Sequence, residues 1–239
     1  MKFIAYLLLC SCCLNLRAQN NNCKASLMEL YDQFALKNRL AKQQYMHLNY
    51  TLVQYVKDNS SNKTVTEKTD FYAGENISYI KSNSANIYQN SEVAVTIVPE
   101  SKTIFIFKGK SKESLNKIEN FMATQDSILN HCQVTNCKQV SIQGKSYQEI
   151  VLKPSAKLSQ RSHVTKITYH INSAKQEFYE IILDYDTQSL LKQTIVRFNV
   201  VDYAYKGDIF KTPPLRMVFD ANNRLLPAYK SYELTDYRK

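Results

Sequence analysis

The 239-residue chain has no tryptophan, 4 glycines and 5 prolines. So few glycines argue against loops whose backbone amides wrap a phosphate. Gly109-Lys110-Ser111 and Gly144-Lys145-Ser146 match the end of such a loop. The first glycine that the loop needs is replaced by Ile104 and Gln139, so both segments read as turns. No two histidines stand four apart, no His-Glu-x-x-His occurs, and no Gly-x-Ser-x-Gly elbow occurs. His47, His131, His163 and His170 each read as surface or turn residues. The net charge is +10, yet no compact Lys/Arg run carries it, so it reads as a solvated surface. No apolar run reaches the ~20 residues that a membrane helix needs.

What is present begins with an export signal. Lys2 supplies a positive start, residues 3–14 a short apolar stretch, and Leu16-Arg17-Ala18 a small-residue cleavage position. Residues 1–18 are therefore expected to be removed, leaving 19–239 as a single domain in the periplasm. Leu9-Cys10-Ser11-Cys12 also resembles a lipobox, so outer-membrane anchoring at Cys12 stays open beside plain cleavage. The Asn-, Lys-, Ile- and Tyr-rich composition reads as bacterial. An exported chain is not expected to meet nucleic acid.

Cys23, Cys132 and Cys137 remain after cleavage. Cys132 and Cys137 flank a polar Gln-Val-Thr-Asn segment that reads as a turn closed by a local disulfide. A zinc site from His131, Cys132, Cys137 and Cys23 lacks a second Cys/His pair, so no metal or cofactor is expected.

Residues 24–44 read as an amphipathic helix. Leu27, Leu30, Tyr31, Phe34 and Leu40 form its apolar stripe, and Ser26 with Glu29 its capping box. From Tyr45 the period changes to two. Strands follow to residue 107, separated by polar turns too short for parallel crossovers. Residues 112–130 read as an inserted helix, 154–163 as a loop, and 215–219 as a late strand. The tail from Arg224 is expected to add an edge strand. The 17 tyrosines suit strands with one wet and one packed face. Asp184 and Asp186 lie two apart and read as charges on a wet strand face.

The feature with functional potential is the apolar face of this sheet. Leu52 lies on it, and Val93, Val95 and Ile97 share a side, as do Val196, Phe198 and Val200, and Leu215, Met217 and Phe219. For any one of these residues a plain core explains the pattern. The sharper expectation is a curved, incompletely closed sheet with an apolar cavity for an acyl chain.

The layout of signal, long helix, strand meander, inserted helix and further strands resembles the LolA/LolB-like outer-membrane lipoprotein carriers. Tyr72-Ala73-Gly74 leading to Tyr79-Ile80-Lys81 resembles a family strand that turns at glycine. Residues 93–99 running into 102–107 resemble its hairpin, and 167–171 and 180–183 its later strands. The resemblance implies an α+β fold: an unclosed antiparallel β-barrel of about ten strands, covered by an N-terminal helix and an inserted helix. It implies a non-enzymatic carrier that holds lipid or an acylated lipoprotein. The chain lacks tryptophan, and the arginine that tethers the family's lid has no match. A subunit of an envelope or secretion machine, binding protein partners, is therefore the alternative function.

Overall fold

The computed structural model describes residues 22–32, 45–57, 63–74, 76–109 and 129–238. The expected signal, the lipobox cysteine, most of the helix over 24–44 and nearly all of that over 112–130 lie outside the described residues.

Residues 22–32 form a helix, α1. Its buried side chains Cys23, Leu27, Leu30 and Tyr31 recur at helical spacing. Ser26, expected as a cap, lies inside it. Among the described residues twelve strands follow: β1 (Met46–Val56), β2 (Lys63–Gly74), β3 (Ile77–Ser82), β4 (Asn86–Asn90), β5 (Val93–Val98), β6 (Thr103–Lys108), β7 (Cys132–Ile142), β8 (Lys145–Pro154), β9 (Val164–Asn172), β10 (Glu177–Tyr185), β11 (Leu191–Asp202) and β12 (Glu233–Asp236). They make one unclosed sheet in the order β12-β6-β5-β4-β3-β2-β1-β11-β10-β9-β8-β7. The fold is α+β, as expected, with two more strands than the sequence suggested. The tail is the edge strand it was expected to be, but β12 runs parallel to β6. The long segment before it frees it from the geometry of a hairpin.

Three expectations need correction. Residues 154–163 are not a loop, since Ala156–Ser162 form a helix, α2. The Ser155 hydroxyl accepts from the Leu158 amide, and His163 closes the end at φ 60°. Residues 215–219 are not a strand. Pro214–Met217 form a 3-10 turn opened by proline, which fixes φ and donates no hydrogen bond. Phe219 makes only an isolated bridge to Leu225.

The third correction is the disulfide. The Gln133–Asn136 segment is part of β7, not a turn. Five residues along a strand place Cys132 and Cys137 roughly 16 Å apart, and a disulfide spans at most about 7 Å. Cys137 instead bonds Cys23 of α1, with Cα atoms 6.5 Å apart. Cys132 is a buried free thiol.

By contacts the chain divides into two compact units. The first takes residues 1–34, 54–65 and 122–197, and the second 35–53, 66–121 and 198–239. Strands β1, β2 and β11 pass from one into the other. In the first unit, cross-strand partners form the row Val196, Ile181, Tyr169, Ile150 and Cys137. Helix α1 seals this row. Tyr31 packs edge-on against Tyr169 at 6.1 Å and tilts against Phe178 at 4.8 Å. Its hydroxyl donates to that of Tyr169, which burial pushes up to about 12. The disulfide pins α1 to the outermost strand of the row.

Candidate functional site

The sheet of the second unit has two faces, and register identifies the residues of each. Partners on adjacent strands share a face, and successive residues alternate between faces. Tyr72, Tyr79, Tyr88, Val95 and Ile106 pair in sequence across β2 to β6. This row is the core of the unit, joined by Val93, Ile97, Ile104 and Val218. The segment after β11 covers it. Ile209, Phe210, Leu215, Met217, Phe219 and Leu225 pack against the cluster. Tyr79 reaches through to donate a hydrogen bond to the Thr212 carbonyl at 2.6 Å. Burial pushes the phenols of Tyr79 and Tyr88 up to about 12.

The opposite face carries a second row. Phe71, Ile80, Ile87, Thr96 and Phe105 pair across the same five strands. All five are only partly buried. On β1, His47 stacks on Tyr72 at 4.4 Å and 5°, which assigns His47 to the sealed side. The other parity of β1 therefore lies on the opposite side: Tyr50 and Leu52 there are partly buried, Leu48 is buried, and the rings of Tyr50 and Phe198 meet at 6.5 Å. The open row spans five strands, about 19 Å at the usual strand spacing. Most of its side chains are apolar and incompletely covered.

The sealed side turns polar where it reaches β1. His47 Nε2 lies 2.7 Å from Asp70 Oδ1, and Asn49 donates to the same oxygen at 2.8 Å. Burial raises the Asp70 pKa, but these two hydrogen bonds and the charges of His47 and Lys68 outweigh it and hold the carboxyl below its usual range. Asn199 links the cluster to β11 by donating to Asn49 and Thr51.

In the first unit the row opposite the α1-covered face is charged throughout. Arg197, Glu180, His170, Glu149 and Lys138 are cross-strand partners in sequence. Arg197 Nε donates to Glu180 at 2.9 Å. The two ring nitrogens of His170 lie 3.2 Å from Glu180 and 3.3 Å from Glu149, and Lys138 lies 3.5 Å from Glu149. The hydrogen bond to Glu180, opposed by burial and aided by Glu149, raises the His170 pKa. The bond from His170, opposed by burial and aided by Arg197, lowers that of Glu180. The expectation of a surface or turn residue fails at His170, which is buried within β9. It holds at His163, the cap of α2, whose ring faces Asp186 at 3.1 Å. Asp184 lies within β10, one residue before its end, and pairs with Lys166, while Asp186 lies beyond the strand and faces His163. Among the described residues no three His, Cys, Asp or Glu side chains are placed to hold a metal ion.

The candidates read from the sequence fall into three places. Val93, Val95, Ile97, Leu215, Met217 and Phe219 come together in the core cluster: Val95 is 0% and Ile97 1% exposed, while Leu215, Met217 and Phe219 are partly buried against it. Leu52 and Phe198 lie on the open face of the same unit. Val196 belongs to the other unit, opposite Ile181. Sequence reasoning missed Phe71, Ile80, Ile87 and Phe105. Their signal was the second parity of the same strands, which is apolar too.

Glycines mark two close approaches. Gln143 and Gly144, at φ 51° and 76°, form the two-residue turn between β7 and β8. A Cβ on Gly109 would meet the Ser91–Glu92 backbone at 2.4 Å.

No protein-family model and no curated protein matches the sequence. Solved structures resemble it distantly. A conserved protein from Thermus thermophilus aligns at 8% identity and TM-score 0.43, covering 88% of this chain and 99% of that one. LprF from Mycobacterium bovis aligns at 8% identity and TM-score 0.38, covering 75% and 94%. A LolA superfamily protein from Nitrosomonas europaea aligns at 8% identity and TM-score 0.30, covering 73% and 92%.

Proposed function

We propose that the chain is an exported, non-enzymatic carrier that holds the acyl chain of a lipid or lipoprotein along the open row of the second unit. The observation that carries this reading is the contrast between the two apolar rows of one sheet. The Tyr79–Val95–Ile106 row is sealed by the chain's own C-terminal segment. The Phe71–Ile80–Ile87–Phe105 row stays partly accessible over about 19 Å, the reach of a long acyl chain. Burying such a face against a flexible apolar chain gains roughly 25 cal/mol per Å² and needs no directional partner. His47, His163 and His170 are each held against a carboxylate. The Cys23–Cys137 bond supports folding in an oxidising compartment, such as the periplasm.

The test compares native and denatured masses of the exported protein. Mass lost on denaturation, recovered as acyl lipid, is the expected result. A ligand-free chain that also takes up no fluorescent fatty acid overturns the reading. A second reading, a structural subunit of an envelope machine that binds protein, draws support from the sealed packing of Val93, Val95 and Ile97. In that reading this face serves stability alone.

A further inference from the structure

Among the described residues, the open row meets exposed aromatic rings at its β6 end. At the edge of the sheet, the ring of Phe105 is followed on the same face by Phe107, two residues on. Tyr237, just past β12, is held there by its amide donating to the Ile106 carbonyl at 2.7 Å. The three rings form a slab. Phe107 and Tyr237 stack at 5.2 Å and 10°, and each stacks on Phe105 at 6.3 Å. Phe107 is 40% and Tyr237 55% exposed, among the largest exposures of any apolar side chain described.

A folded chain rarely stacks rings only to leave them in water. Three part-exposed rings offer on the order of 300 Å², well short of the ~800 Å² per partner of a stable protein interface. That favours a soft apolar phase over a second protein. The charges around the slab agree. Asp236 is neutralised by Arg238 at 2.6 Å. Lys102, just before β6, lies beside Glu233, whose amide donates to its carbonyl, and Lys108 at the end of β6 precedes Gly109, whose amide donates to the Glu92 carbonyl, so charges of both signs stand near the slab. A neutral surface bearing aromatic rings, one with a hydroxyl tip, matches the head-group level of a bilayer.

We infer that the Phe105–Phe107–Tyr237 edge docks on the interfacial layer of a lipid bilayer and is the end through which an acyl chain enters the open row. This deepens the carrier reading and rests on it. Docking there would bring the row level with the acyl region, so that a chain could slide from lipid to protein with little exposure to water.

The full exported protein is tested with neutral phosphatidylcholine vesicles by co-sedimentation, and separately with a fluorescent fatty acid in solution. The double variant Phe107→Ser/Tyr237→Ser is expected to lose vesicle association by about tenfold or more. Its fatty-acid affinity should stay within about twofold of the parent, since the rings lie beyond the row. Phe107→Tyr should retain vesicle binding, and a urea midpoint confirms that each variant folds. Because no net charge is involved, added salt should leave the parent's association unchanged.

Failure of the parent to bind vesicles, or undiminished binding by the double variant, overturns the docking inference. So does self-association of the parent that the double variant abolishes, which would make the slab a contact between copies. Failure of the parent to take up the fatty acid overturns the carrier reading instead, whatever the vesicles do.

Discussion

The two units solve one problem in different ways. Each has a sheet with two faces, and each seals one of them with a distant part of its own chain. In the first unit the cover is α1, fixed by a disulfide. In the second it is the segment running from β11 to β12. They differ in the face left over. In the first unit the row Lys138, Glu149, His170, Glu180 and Arg197 satisfies itself with alternating charges. In the second the row Phe71, Ile80, Ile87, Thr96 and Phe105 is apolar but for Thr96. A charged ladder needs nothing further, whereas an apolar row gains by covering itself. The proposed location of the acyl site rests on that asymmetry rather than on any motif.

The largest effect should come from the cover of the first unit. Cys137→Ser removes a link across 114 residues, and chain entropy alone makes that worth about 4–5 kcal/mol. Urea denaturation should show the loss, and an unchanged midpoint would mean that α1 packs without the bond. Next comes the sealed row. Ile106→Ala should cost about 3 kcal/mol while leaving fatty-acid uptake intact. Ile80→Asp on the open row should do the reverse, lowering uptake more than about tenfold with a stability loss near 1 kcal/mol. If both variants behaved alike, the distinction between the rows would collapse.

The charged ladder gives a further test. Glu180→Gln leaves His170 and Arg197 without their shared carboxylate and should cost about 3 kcal/mol. The wild-type pH profile follows from the two shifts. His170 is raised, so its contribution is complete below its ordinary value of 6.5 and is lost as pH rises through the folded value. Glu180 is lowered, so its contribution is present above 4.5 and is lost as pH falls through the folded value. Stability from the ladder should therefore be greatest between the two and decline on the alkaline side. His170→Asn should flatten that decline, as read from unfolding midpoints across the pH range. The smallest effect is local: Ser155→Ala removes the cap of α2 and should cost about 1 kcal/mol, with no change in ligand uptake.

Much of the sheet could be read from alternation alone. The strands from Tyr45 to Phe107 stand close to where the period of two placed them, because one residue in two must face a core. The apolar stripe at Leu27, Leu30 and Tyr31 likewise announced a helix. Alternation could not say which face of the second unit is the core. Ile104 and Ile106 point one way and Phe105 and Phe107 the other, and both pairs are apolar. Val93, Val95 and Ile97, expected to face a ligand, are buried in the core cluster of the second unit. The stretch over 215–219 looked like a strand by its Leu, Met and Phe, yet the prolines before it turned it into a cover.

The sequence by itself determined the strand-rich α+β class, the antiparallel meander and its helical entry, since these depend on local periodicity and turn chemistry. Tertiary structure alone decided that Cys23 rather than Cys132 bonds Cys137, that the C-terminal segment seals one apolar row, and that the other remains partly open. The physical reason is the same in each case. The deciding partner lies roughly a hundred or more residues away along the chain, and a pattern of period two specifies that a residue faces one side without specifying what will be there to meet it.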